Sequence, residues 1–194
     1  MTKNISVGIT GGIGSGKTYV CRTLNTMGYP VFYSDEQAKQ LLIDDTEAIA
    51  AIKSLFGDEA YLYGQLNRSF LAEKIFADLS LREKMNNIVH PLVRKRFNQW
   101  ALRSESPIVF NEAAILFETG AFKNFDYTIL VTAPVDIKIK RTMQRDGVSK
   151  EEVIARMNAQ WPDEQKIPLA SFVIINDETT PLLPQIVKIL DQIK

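Results

Sequence analysis

The chain has 194 residues, 45% hydrophobic and 24% charged, which is the mixture of an ordinary globular protein with one sizeable core, or a core with a small appendage. Its 23 basic residues balance 23 acidic ones, so the basic excess of a nucleic-acid coat is absent. The longest apolar runs, such as residues 113–117, are five residues long against the roughly 20 that span a bilayer as a helix. These numbers exclude a disordered tail, a collagen-like repeat and a disulfide-stapled miniprotein, and predict neither a nucleic-acid nor a membrane partner. The opening Met-Thr-Lys-Asn and the Ile-Ser-Val-Gly-Ile after it are too short and broken for a secretory signal. The single cysteine, Cys21, cannot form an internal disulfide, so the default compartment is the cytoplasm.

Residues 4–10 alternate at period two and predict a strand, followed by a glycine-rich turn. Tyr19, Val20, Thr23, Leu24 and Met27 then keep helical spacing up to Gly28. Residues 31–33 predict a second strand. Residues 38–105 are too long for one crossover helix, and their apolar stripes predict a helical insertion with a ligand cleft beside the sheet. The stripes are Ile49, Ile52 and Phe56; Leu71, Ile75, Phe76 and Leu79; and Leu81, Met85, Ile88, Val89, Leu92, Val93 and Trp100. Pro91 predicts a kink or restart in the third. Strands follow at 107–110, 127–131 and 171–175. Between the last two, residues 140–166 predict a polar, basic helical lid, with a capping box at Ser149 and Glu152. A final helix is expected from the N-cap Thr180 and Pro181, with Leu183, Ile186, Val187, Leu190 and Ile193 buried.

Residues 11–18 read Gly-Gly-Ile-Gly-Ser-Gly-Lys-Thr, the G-x-x-x-x-G-K-[ST] pattern, placed after an apolar strand and before a helix. Glycines let successive backbone N–H groups turn inward around a phosphate. The positive end of the next helix faces the same anion. Gly11, Gly12, Ile13, Gly14, Ser15 and Gly16 are therefore nucleotide-binding candidates. Lys17 is expected on the β- and γ-phosphates and the Thr18 hydroxyl on Mg²⁺. The predicted architecture is α/β: a P-loop three-layer α/β/α fold with a five-stranded parallel sheet, a helical insertion and a helical lid. Residues 1–37 and 106–194 would form the nucleotide-binding core and 38–105 the acceptor-binding insertion.

The pattern does not name the reaction. No Asn-Lys-x-Asp guanine reader is present, and Ile-Val-Phe-Asn-Glu at 108–112 is a poor motor-ATPase strand. Small size, insertion and lid favour a small-molecule kinase. Asp35, just after the second strand, either takes the acceptor's proton or orders Mg²⁺, or else caps a helix. His90 either faces the cleft or packs. Arg141 and Arg145, one turn apart, either offset phosphoryl charge or stack on adenine, unless they are solvated. Asn176 is either a base contact or a turn residue, Glu118 either cleft-facing or exposed, and Cys21 a core residue.

Together these residues resemble the bacterial dephospho-CoA kinases, nearly end to end. The resemblance lies in the loop at 10–18, Asp35, Gly64-Gln65-Leu66-Asn67-Arg68 with Ile75-Phe76, and His90-Pro91. It continues through Ile115-Leu116-Phe117-Glu118, residues 140–146 with Gln160, and Ile174-Ile175-Asn176. The chain departs from the family at Tyr33, where an Asp is usual, and at Ala114, where a proline is usual. The resemblance implies ATP-dependent phosphorylation of the ribose 3′-hydroxyl of dephospho-CoA, with Asp35 as base and His90 in the acceptor pocket. Arg141 and Arg145 would close over ATP. A monomer or weak homo-oligomer is expected. The rival readings are another P-loop nucleoside or nucleotide kinase, or a nucleotide-binding module without turnover.

Overall fold

The computed structural model describes residues 4–193. The opening residues read for a leader, and the last residue of the predicted core segment, lie outside the described residues. The chain forms two compact units, one running through Tyr33 and resuming at Ala101, the other Ser34–Trp100.

The first unit is built on a parallel sheet. Its strands are β1 (Ile5–Thr10), β2 (Val31–Tyr33), β5 (Ile108–Glu112), β6 (Tyr127–Thr132) and β7 (Phe172–Ile175), in the order β2-β5-β1-β6-β7. All four pairings are parallel, so the predicted five-stranded sheet is present. β1 lies at its centre, and five of its six residues are buried. A strand covered on both faces has no use for a polar side, which is why Ile-Ser-Val-Gly-Ile-Thr carries no charge. Helices α1 (Lys17–Thr26) and α9 (Leu182–Gln192) cover one face. Val20, Cys21 and Leu24 of α1 meet Val7, Ile9, Ile129, Val131, Ile174, Ile186 and Ile189 there. On the other face Gly8 makes room for Leu116 and Phe125, which approach within 2.7 and 3.0 Å of where its side chain would begin. Helices α6 (Val135–Asp146), α7 (Lys150–Asn158) and the short α8 (Asp163–Lys166) join β6 to β7.

The second unit holds α2 (Ser34–Asp44), α3 (Thr46–Phe56), α4 (Arg68–Ala77) and most of α5 (Leu79–Arg103). It also has a two-stranded antiparallel hairpin, β3 (Tyr61–Leu62) and β4 (Gln65–Leu66), so the segment is not wholly helical as its apolar stripes predict. Ala48, Ile52 and Phe56 are buried along α3, and Asp45 caps it by accepting the Ala48 N–H. Arg96 of α5 holds Asp44 at 2.6 Å and draws its carboxyl below the usual range.

Three periodic expectations are corrected. Phe76 and Leu79, placed on a buried stripe, are 91% and 72% exposed, while Leu71 of the same stripe is buried on α4 as expected. Pro91 does not restart a helix: α5 continues through it. In α9 the buried residues are Ile186 and Ile189, with Ile193 just beyond, while Leu183 and Val187 are exposed. The α9 helix starts one residue later than expected, with Pro181 at its N-cap, because the Thr180 hydroxyl and N–H are both engaged by Asp177. Among the described residues no helix is long and apolar enough to cross a membrane.

Candidate active site

The turn between β1 and α1 is shaped by two left-handed glycines, Gly14 at φ 75° and Gly16 at φ 89°. A side-chain carbon on Gly14 would strike the Lys138 carbonyl oxygen, and one on Gly16 the Asn176 amide, so both conformation and space require glycine. The Ser15 N–H donates back to Gly12 O at 3.1 Å and closes the turn. The N–H groups at the start of α1 have no intrahelical acceptor and sit at its positive end. Lys17 lies folded beside the loop, donating to Gly11 O at 3.0 Å and lying 3.7 Å from the Glu112 carboxylate. Ser15 Oγ is buried with no partner among the described residues, and Thr18 is exposed on the first turn of α1. A concave backbone with a cation at its edge and hydroxyls at its rim suits a phosphate chain.

The surrounding elements hold this shape. The Asn176 amide, just beyond β7, donates to Ser15 O at 2.9 Å, while its Oδ1 and backbone carbonyl accept from Arg141 at 3.3 and 3.2 Å. Arg141 also reaches Glu178 at 3.2 Å, and its guanidinium is 3.7 Å from where a side chain on Gly16 would begin. The loop, Arg141 and Asn176 are therefore brought together. Arg145 is not drawn into this group. It pairs with neighbouring Asp146 at 2.7 Å, and Asp146 also takes Arg156 at 2.9 Å. The capping box is formed, with Ser149 and Glu152 exchanging hydrogen bonds at 2.9 and 3.2 Å.

Glu118 turns inward. Its carboxylate lies 2.8 Å from Lys166 and accepts the Trp161 N–H at 3.1 Å. In the second unit Asp35 is exposed in the first turn of α2, two residues past β2. His90 is exposed on α5, yet partial desolvation of its ring pushes its pKa down, and the Asp35 charge acts against that shift, so these two residues share one neighbourhood. Cys21, one turn beyond Lys17, is buried; desolvation and then the Glu112 charge push its thiol up to about 12, against the opposing pull of Lys17. Such a thiol is a packing residue, not a nucleophile.

Sequence reasoning passed over Glu112, Lys138, Asp163 and Lys166. Lys138 is almost buried, paired with Asp163 at 2.6 Å. Helical spacing gives a signal for it, since it lies three and four residues before Arg141 and Thr142 and so shares their face. Glu112 ends β5 at the level where Lys17 emerges, a position readable once β1 and β5 are known to be neighbours. Nothing in the local sequence marks Lys166 as buried.

Comparison with known proteins agrees with these features. The dephospho-CoA kinase family model matches residues 5–181. A dephospho-CoA kinase of Bacteroides fragilis (strain YCH46) is 40% identical over 187 residues, covering 96% of this chain and 91% of that one. The crystal structure of TT1252 from Thermus thermophilus superposes with a TM-score of 0.83 at 37% identity, covering 98% and 96% of the two chains. A dephospho-CoA kinase from Campylobacter jejuni gives 0.69 at 27% identity, covering 97% and 96%.

Proposed function

The chain belongs to the dephospho-CoA kinase family, and we propose how its own residues perform the family's reaction. It phosphorylates the ribose 3′-hydroxyl of dephospho-CoA to give CoA, the last step of coenzyme A synthesis, and ATP becomes ADP. The observation that carries the mechanism is the loop with left-handed Gly14 and Gly16 opening α1.

In this reading residues 11–18 hold the β- and γ-phosphates through backbone N–H groups, and Lys17 exchanges Gly11 O for phosphate oxygen. Such a change is local, because Lys17 needs only to swing from one oxygen to another. The Thr18 hydroxyl and the Glu112 carboxylate are hard oxygen donors at the loop and suit Mg²⁺. When bound, Mg²⁺ offsets charge on the β- and γ-phosphate oxygens. Asp35 takes the proton of the attacking hydroxyl, and His90 lines the acceptor pocket beside it. Transfer is a direct displacement with no phosphoenzyme. Arg141 offsets charge as the bond to the β-phosphate loosens. Residues 140–166 form the lid, with Arg145 closing over ATP while residues 160–166 stay anchored at its base, so that water does not replace the acceptor. Asn176 contributes from behind by fixing Ser15, and Glu118 contributes by fixing the backbone at Trp161. Residues 38–105 bind the CoA part. The lone, buried thiol suits a reducing compartment, and the cytoplasm is the proposed location.

Release of ADP from ATP and Mg²⁺, followed with and without dephospho-CoA, tests the reading. ADP should form only when dephospho-CoA is present. Faster release with adenosine or AMP would make the chain another small kinase, and no release with any acceptor would make it a binding module.

A further inference from the structure

Gln160 lies between α7 and α8, yet its side chain reaches the phosphate loop. Its Oε1 accepts the Ile13 N–H at 2.9 Å, and its Nε2 is 3.5 Å from Ala114 O. One amide thus spans from the loop to the residue two beyond the end of β5.

The placement is fixed from several sides. The Gln160 N–H donates to Met157 O at 3.0 Å. The next N–H, of Trp161, is held by Glu118 at 3.1 Å. That carboxylate is itself anchored on Lys166, which is wholly buried. Asp163 and Lys138, paired at 2.6 Å, both lie 3.6 Å from where a side chain on Gly12 would begin. The strand of chain from 160 to 166 therefore touches the loop at Gly12 and at Ile13, and it is pinned behind both contacts.

The chemistry of the contact suits its place. A loop that gathers N–H groups around an anion needs those N–H groups held in one orientation before the anion arrives. A neutral amide can accept from Ile13 without adding a negative charge next to the phosphates. Its other end donates to a carbonyl, so neither end is left unpaired in a half-buried site. A carboxylate in its place would keep the first contact, lose the second and repel the ligand.

We propose that Gln160 is a positioning residue for phosphoryl transfer: its amide ties the Ile13 segment of the phosphate loop to the end of β5 and so sets the affinity for ATP. The proposal rests on the reading of the loop as the ATP site.

Titration of the full-length protein with a non-hydrolysable ATP analogue, together with KM values for ATP and dephospho-CoA, tests it. Failure of the unaltered protein to bind the analogue would count against the ATP reading itself. Given binding, Gln160→Leu should weaken the analogue about tenfold and raise KM for ATP similarly, because a fixed amide contact is lost. KM for dephospho-CoA should stay within about twofold and thermal stability should change little. Gln160→Glu should weaken the analogue further. Gln160→Asn, one methylene shorter, cannot span both partners and gives the same comparison should the leucine variant not fold. Unchanged or tighter analogue binding in the neutral variants would overturn the proposal, since the amide would then be a bystander or a competitor of phosphate. An equal rise in both KM values with a large drop in stability would also overturn it, making the contact a general structural stitch.

Discussion

Lys166 and Glu118 form an ion pair at 2.8 Å in which the lysine is completely buried and the carboxylate is only 12% exposed. Forty-eight residues apart in sequence, they join the segment after β5 to the segment before β7. Removing one partner of such a pair leaves an uncompensated charge in a dry site, at a cost of about 3–5 kcal/mol. Glu118→Leu should therefore destabilise severely, and Lys166→Met less, because the carboxylate keeps the Trp161 N–H. The double variant Glu118→Leu with Lys166→Met should recover much of the loss. Urea unfolding of the four proteins measures this, and additive losses in the double variant would contradict it.

Asp35 and His90 give a second prediction, which uses the fact that the chain has a single histidine. Its ring signal can be followed by NMR without assignment. The imidazole pKa is below its usual value because packing disfavours the charged ring, while the Asp35 charge works in the opposite sense. Asp35→Asn should therefore move the His90 titration to still lower pH. If Asp35 is also the base, the same variant should bind ATP normally and lose about 10²–10⁴ in kcat. Near-normal turnover would remove Asp35 from the mechanism, and an unmoved titration would separate it from His90.

How much of this was legible beforehand differs between parts of the chain. The sheet and the phosphate loop are legible because each is written locally: β1 as a period-two run, although the strand proves buried along both faces, and the loop as a fixed spacing of glycines before Lys17 and Thr18. The insertion was read less well. Phe76 and Leu79 have the spacing of a buried stripe, but periodicity says only which residues share a face, not whether another element covers it. Pro91 has the signal of a kink or a restart, and α5 runs through it without a restart, since the rest of a 25-residue helix outweighs one missing hydrogen bond. Glu112 has a local signal, the apolar strand that ends in it, which reads as a poor motor-ATPase strand, whereas Lys138 and Lys166 gain their meaning only from partners far away in sequence, Asp163 and Glu118.

Asp177 couples the turn before α9 to pH. Its carboxylate accepts the Thr180 N–H at 2.7 Å and the Thr179 N–H at 3.0 Å, and these bonds hold its pKa down at about 2, against 3.8 ordinarily. As pH falls the unfolded chain takes up this proton first, so the stabilisation is present above 3.8 and fades as pH approaches 2. The stability difference between the unaltered protein and Asp177→Ala should be largest at neutral pH and shrink across that window. Urea midpoints at several pH values measure it, and a difference independent of pH would show that the carboxylate's charge is not what the turn uses.

Arg141 has a geometry that separates its roles. It is a fork engaged three ways, on Asn176 O, Asn176 Oδ1 and Glu178, and Asn176 in turn fixes Ser15 O. A guanidinium so placed lies beside the loop and can turn toward transferring charge without a large motion of α6. Arg141→Ala should lower kcat by about 10³, as the loss of a charge-offsetting arginine does, with KM for dephospho-CoA within about twofold. Arg141→Lys keeps the charge but not the fork, so it should recover only a small part of the rate. Full recovery by lysine would mean that charge alone suffices and the fork on Asn176 is incidental. A rise in KM for dephospho-CoA with kcat unchanged would place Arg141 in the acceptor pocket instead.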